Sequence, residues 1–233
     1  LVSSATSGIK QASTSVGEVA TLVGNMATTM PATLVPQVLD TPVPSSGEIL
    51  MTDDFSDTNS GWETYSGQYG NSGYSDGGYL VKSIVKEEYM WGSAGVDLAD
   101  IQVDVDAKVL ETVEKGYDAY GIDCRIQSNG DGYGFRITSD GYYAISLYSN
   151  GKGKTLVDWT ESSVVYTDGR VNHIGAVCAG NTLQLWVNGV KVAETTDSTF
   201  SHGDIALSAI GFYDGIVQVL FDNLVVKKVS IRN

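Results

Sequence analysis

The run Ile101–Val109, "IQVDVDAKV", places an apolar side chain at every odd position and a polar one at every even position. A period of two fits a strand with one buried face. It cannot make the apolar stripe of a helix, which needs a period near 3.6. The same grammar recurs from Glu48 to the end of the chain. "DGGYLVKSIV" sets Tyr79, Val81 and Ser83 on one face, and "AYGIDCRIQ" and "GYGFRITSDGYYAISLYSNGKGKTLVDW" read as a meander broken by "NGDG", "SDG" and "NGKG". "NHIGAVCAGNTLQLWVNGVKVAET" turns at "AGN" and at "NG", and an Asn-Gly pair between alternating runs is a strong hairpin signal. "GDIALSAIGFY" and "VQVLFDNLVVKKV" close the chain. Roughly eleven to thirteen short strands at this spacing predict an all-β sandwich, with no helix longer than a turn after residue 48.

The segment before Glu48 follows other rules. Val16, Val19, Ala20, Val23 and Met26 recur at helical spacing, so a short, weakly amphipathic helix is expected within 9–27. Gly17, Gly24 and the many Ser and Thr weaken it. All four prolines lie in residues 31–47, "PATLVPQVLDTPVPSSG", which reads as an extended linker. Two regions follow: a Ser/Thr/Pro-rich tether or docking segment, 1–47, and a sandwich, 48–233.

Of the net charge of −14, the first 47 residues carry only Lys10, Glu18 and Asp40. The remaining 13 basic and 26 acidic residues give the sandwich −13, a surface that repels nucleic acid and anionic lipid. No stretch approaches the ~18 apolar residues of a membrane-spanning helix. The chain begins with Leu rather than Met, which reads as a processed or truncated product compatible with a removed export signal. Cys124 and Cys178 lie in apolar strands without a CxxC spacing. They are either two inert buried thiols or a disulfide, and the extracellular character of the chain favours the disulfide.

"DDFSDTNSGW", "GIDCRI", "GYGFRITSDGYYAI", "TLVDWT", "AVCAGNTLQLWVNGVKVAETTDSTFSHGDIAL" and "VLFDNLVV", in that order, resemble the concanavalin A-like lectin/glucanase superfamily. The likeness is closer to the laminin-G-like jelly rolls of exported bacterial proteins, including Chloroflexi-type lipoproteins. The resemblance covers about residues 48–230. It implies a two-sheet antiparallel jelly roll, one sheet concave and one convex, with the first and last strands side by side. Phe55 would then plug the core, "SDTNSGW" would fold Trp62 against it, and Cys124 and Cys178 would lie in strands that jelly-roll order can bring together. The resemblance also implies a structural calcium near Asp222 of the last strand, with Asp53 and Asp54 at the neighbouring strand start.

Catalytic patterns are weak. The laminarinase-type glycosidases of this superfamily use Glu-x-Asp-x-x-Glu, and the nearest match, Asp104-Val-Asp106-Ala-Lys108-Val109, lacks the last glutamate, so it reads as a solvated strand face. His173 and His202 have no nucleophile elbow beside them. A sugar-binding face is the better expectation. Asp123, Arg125, Arg136, Tyr142 and Trp186 all fall off core parity, and together they offer hydrogen bonds to hydroxyls and a ring for stacking. Trp62, Trp91 and Trp159, beside turns, read as core or rim packing. The functional expectation is a non-catalytic, exported protein at the cell surface. It would bind carbohydrate or serve display, attached through 1–47 to the envelope or a larger assembly. The alternatives are a glycoside hydrolase-like enzyme and an accessory subunit of a membrane or filament complex.

Overall fold

A computed structural model describes residues 47–113, 116, 118–212 and 216–230. The helix and linker expected in the first 46 residues lie outside the described residues. The described chain forms fifteen strands and no helix. The first five are β1 (Ile49–Asp53), β2 (Tyr65–Gly67), β3 (Gly70–Ser75), β4 (Gly78–Ile84) and β5 (Tyr89–Ser93). The central ones are β6 (Ile101–Thr112), β7 (Asp118–Ile126), β8 (Gly132–Ile137), β9 (Tyr142–Ser149) and β10 (Lys152–Glu161). β11 (Asn172–Ala179), β12 (Thr182–Val187), β13 (Val190–Thr196), β14 (Asp204–Gly211) and β15 (Ile216–Lys228) complete them.

They build two antiparallel sheets. The nine-stranded sheet runs β13-β12-β11-β6-β15-β4-β3-β2, with β1 also paired to β15, and the six-stranded sheet runs β10-β9-β8-β7-β14-β5. The first and last strands do lie side by side: Met51 pairs with Val226 and Asp53 with Leu224. β15 serves two neighbours on one edge, β4 along Ile216–Phe221 and β1 along Leu224–Lys227. The changeover is a bulge at Asp222–Asn223, with Asn223 in the left-handed region.

Alternation decides the core. Ile101, Val103, Val105 and Ala107 are buried from one sheet, and Tyr120, Ile122, Tyr133, Phe135, Ile137 and Ile145 from the other. Tyr79, Val81 and Ser83 are all fully buried. The "DDFSDTNSGW" stretch folds back as its composition suggests. Phe55 and Trp62 meet edge to face at 5.4 Å, and Tyr79 packs on both. Cys124 on β7 and Cys178 on β11 form a disulfide that joins the two sheets.

Candidate functional site

The outward face of the six-stranded sheet is set by parity. On β7, Ile122 and Cys124 go to the core and Asp123 turns out; on β8, Phe135 and Ile137 go in and Arg136 turns out. Pairing then puts Asp123 level with Gly134 and Ala206, and Gly121 level with Arg136 and Ser208. Small residues therefore floor the middle of the sheet, and long side chains lie down on them. A Cβ at Gly134 would come within 2.9 Å of Ser146 Oγ and 3.0 Å of Arg136 Nη2, so the guanidinium lies directly over the glycine and a side chain there would make it shift.

Arg136 donates to the carbonyl of Ile122 (2.9 Å) and to that of Phe135 (3.2 Å), and pairs with the Asp123 carboxylate. The Tyr89 hydroxyl donates to both Asp123 oxygens, at 3.0 and 3.2 Å, and lies 3.1 Å from Ser208 Oγ. The Arg136 guanidinium sits 5.0 Å from the centre of the Tyr89 ring, within cation–π range. Burial pushes the Asp123 carboxyl up to about 8, against the lowering by the Ser208 hydrogen bond, and the Arg136 guanidinium down to about 9.

Above this floor stand three aromatic rings. Tyr148, Tyr89 and Trp91 follow one another at centroid spacings of 6.1 Å. Trp91 and Tyr148 are 41% and 42% exposed. They wall a hollow of about 250 Å³ that also takes in Asp123, Ala206 and the turn Asn129–Gly132. That turn is fixed by Asp131, whose carboxylate accepts the Asn150 N–H at 2.8 Å and the Asn129 amide at 2.9 Å. The Asn150 N–H, and with it the Asn129 side chain, holds the Asp131 carboxyl below the usual carboxylate range. The β7–β8 and β9–β10 turns are thereby tied into one rim.

Of the residues expected on a sugar-binding face, Asp123 and Arg136 meet here. Tyr142 shares the face but stands six residues from Tyr148 along β9, about 20 Å at strand rise. It lines a separate hollow with Thr138, Asp140, Trp159 and Phe212. Arg125 is not on the face. It adopts a left-handed φ of 54° where the β7–β14 register slips, so its side chain leaves the alternation. Arg125 is 1% exposed, and its guanidinium donates to the carbonyls of Ala99 (3.2 Å), Gly180 (2.9 Å) and Phe200 (2.8 Å). Trp186 is off core parity as read, but on the other sheet. It packs on Val177, Ala179 and Val229 and donates to Gln184 Oε1 at 3.0 Å. Trp62 is core, whereas Trp91 is a half-exposed wall of the hollow and Trp159 stands edge-on to Phe212. Tyr89, Trp91 and Tyr148 were missed by sequence reasoning. The available signal was parity, since Met90 and Gly92 alternate with Tyr89 and Trp91 in "YMWGS".

The remaining candidates are engaged by protein partners. Asp104 and Asp106 face outward on the nine-stranded sheet. Asp104 accepts from Gln102 (2.9 Å) and Lys227 (3.2 Å), and Asp106 is bound by Asn223 (3.0 Å) and lies 2.8 Å from His173 Nδ1. His202 lies 2.6 Å from Asp97. Asp53 accepts the Phe55 N–H and the Ser60 hydroxyl, Asp54 accepts from Ser56, and Asp222 accepts the Asn223 N–H. Among the described residues no group of three or more His, Cys, Asp or Glu could hold a metal ion. No helix of the described residues is long and apolar enough to cross a membrane.

Residues 47–227 match the family described as 3-keto-alpha-glucoside-1,2-lyase-like domain. A search of curated proteins found no significant match. Among solved structures, the carbohydrate-binding module CBM66 from Bacillus subtilis is 17% identical with a TM-score of 0.54, over 72% of this chain and 96% of that one. A protein with a galectin-like fold from the same organism is 11% identical, with a TM-score of 0.60 over 82% and 100%. A prokaryotic β-1,3-1,4-glucanase derived from a mouse hindgut metagenome is 11% identical, with a TM-score of 0.58 over 76% and 98%. These likenesses bear on fold. They agree with the concanavalin A-like resemblance seen in the sequence.

Proposed function

The chain belongs to the family of 3-keto-alpha-glucoside-1,2-lyase-like domains, and from that premise we propose that its sandwich binds carbohydrate in the hollow between Trp91 and Tyr148. One observation carries the reading: half-exposed aromatic rings stand over a buried, hydrogen-bonded Asp123–Arg136 pair. Apolar ring faces of a sugar stack on aromatic side chains, while hydroxyls take up the remaining lone pairs of Asp123 and the Tyr89 oxygen. The polar floor is already satisfied by protein partners. It orients the rings at little desolvation cost, and stacking supplies the affinity. The test is a glycan array with the full chain and with Trp91→Ala. Binding that disappears in the variant at unchanged Tm supports the reading, and an array blank for both chains refutes it.

The family description favours a second reading, in which the same hollow acts on a 3-keto-glucoside. A 1,2-elimination needs a base for the C2 proton and a proton for the departing C1 oxygen, as C1–O breaks and C1=C2 forms. Asp123 and the Tyr89 hydroxyl, hydrogen-bonded to each other, are a base and an acid that the hollow offers, beside the Asp131 carboxylate of its rim. Incubation with a 3-keto-α-glucoside decides it: turnover lost in Asp123→Asn establishes catalysis, and no turnover by the full chain leaves binding alone.

The same proposal places the protein outside the cytoplasm, attached through residues 1–47 to the cell envelope or a larger assembly. The disulfide suits an oxidising compartment, and the Ser/Thr/Pro-rich composition suits a tether. A chain starting at Glu48 should keep the Tm of the full chain and be lost from the envelope fraction. Retention in that fraction refutes the attachment.

A further inference from the structure

Tyr89 and Trp91 have two sides. One side walls the hollow above Asp123; the other walls a second hollow of about 340 Å³, completed by Glu63, Tyr65, Tyr69, Glu88 and Met90. The second hollow lies where the edges of the two sheets come together, since β5 ends the six-stranded sheet and β2 ends the nine-stranded one. Tyr65 and Tyr69 are each 40% exposed, about as open as Trp91. Their placement has a local cause: β2 and β3 form a short hairpin, with Tyr65 paired to Ser72 and Gly67 to Gly70. Tyr69 sits in the turn, and its carbonyl accepts the Ile84 N–H at 3.0 Å, so the tip is held to the body of the sheet. Glu63 is steadied by the Ser93 hydroxyl at 3.1 Å.

We infer that the two hollows are successive subsites for one extended glycan, which crosses the Tyr89–Trp91 ridge and stacks on Tyr65 and Tyr69. This rests on the carbohydrate-binding reading above. A ligand confined to the first hollow would leave the half-exposed tyrosines of the second without a role, whereas a chain of sugars presents one ring face after another to such a row. The charge of the second hollow selects the class of glycan. Its charged lining consists of Glu63 and Glu88, and the sandwich carries −13 overall. The glycan therefore bears no anionic groups: uronates, sulfates and sialic acids meet repulsion, while neutral and amine-bearing sugars do not.

The experiment is calorimetric titration of the full chain with mono- to hexasaccharide series of β-glucans, chitosan and oligogalacturonate. The β-glucan or chitosan series should gain about tenfold in affinity from disaccharide to hexasaccharide, a modest return for added stacking surface. Tyr65→Ala/Tyr69→Ala should abolish that gain and leave mono- and disaccharide binding unchanged. Oligogalacturonate should bind more weakly at every length. No gain with length, a gain that survives in the double variant, or oligogalacturonate bound as tightly as the others overturns the inference. If short sugars bind in a Trp91-dependent way without a gain with length, only the extended site falls. If no sugar of any length binds, the carbohydrate-binding reading falls and takes this one with it.

Discussion

The Arg136 guanidinium pairs with the Asp123 carboxylate where the two side chains are only 5% and 7% exposed. Two charges out of water stabilise little on balance, but leaving one without the other costs about 3–5 kcal/mol. Arg136→Met should therefore lower unfolding free energy by that amount in urea titrations. Arg136→Met/Asp123→Asn should recover a large part of it, because the orphaned charge is gone. Equal stability of the single and double variants contradicts the pair.

The Cys124–Cys178 bond closes 54 residues of sequence between the two sheets. In the chain-entropy account such a crosslink is worth about 4 kcal/mol, and native removals typically cost ~2–5 kcal/mol. Cys124→Ala/Cys178→Ala should lose stability within that range. Thiol titration of the denatured, unreduced full chain should find no free thiol, and two free thiols refute the bond.

Arg125 and Trp186 should separate structure from binding. Arg125→Ala strips the donor from three carbonyls, those of Ala99, Gly180 and Phe200, and leaves a left-handed backbone behind. The expected loss is about 1–3 kcal/mol, because the three carbonyls belong to exposed or half-buried residues that water can reach once the guanidinium is gone. Glycan affinity of the folded fraction should not change. Trp186→Ala should leave glycan binding unchanged as well, since it sits on the opposite sheet. A loss of affinity in either variant at preserved fold would return these residues to the site.

Asp118 gives a pH signature. It is fully buried at the start of β7, and its Oδ1 accepts the Ser139 N–H at 2.9 Å. Burial raises its carboxyl above the ordinary range, against the lowering by hydrogen bonds from Ser139 and Thr112. With the folded pKa above the unfolded value, the fold favours the protonated form. The stabilising contribution is complete below the unfolded pKa, about 3.9, and is lost as pH rises through the folded value. Asp118→Asn should match the full chain near pH 3 and exceed its stability at pH 7. A difference independent of pH refutes the assignment.

Alternation was enough for much of this architecture. Ile101, Val103, Val105 and Ala107, Tyr79, Val81 and Ser83, and Ile122 with Cys124 are buried because a strand in a sandwich has one wet and one dry face, and a period of two marks which is which. The same rule put Asp123, Arg136, Tyr142 and Trp186 outside the core. Parity does not say which of two outer faces a residue occupies, nor which end of it. Only strand order set Trp186 on the nine-stranded sheet and Tyr142 some six residues from the hollow. Arg125 escaped parity altogether, because a bulge inserts one residue without partner and nothing local in "DCRIQ" marks it; the slip exists only against β14. Trp91 and Tyr148 lie 57 positions apart in the chain, and they share a wall because β5 and β9 belong to one sheet. A binding hollow between distant strands is a property of pairing, which is non-local. The chain's local chemistry fixes the faces of its strands, and long-range register decides which faces meet.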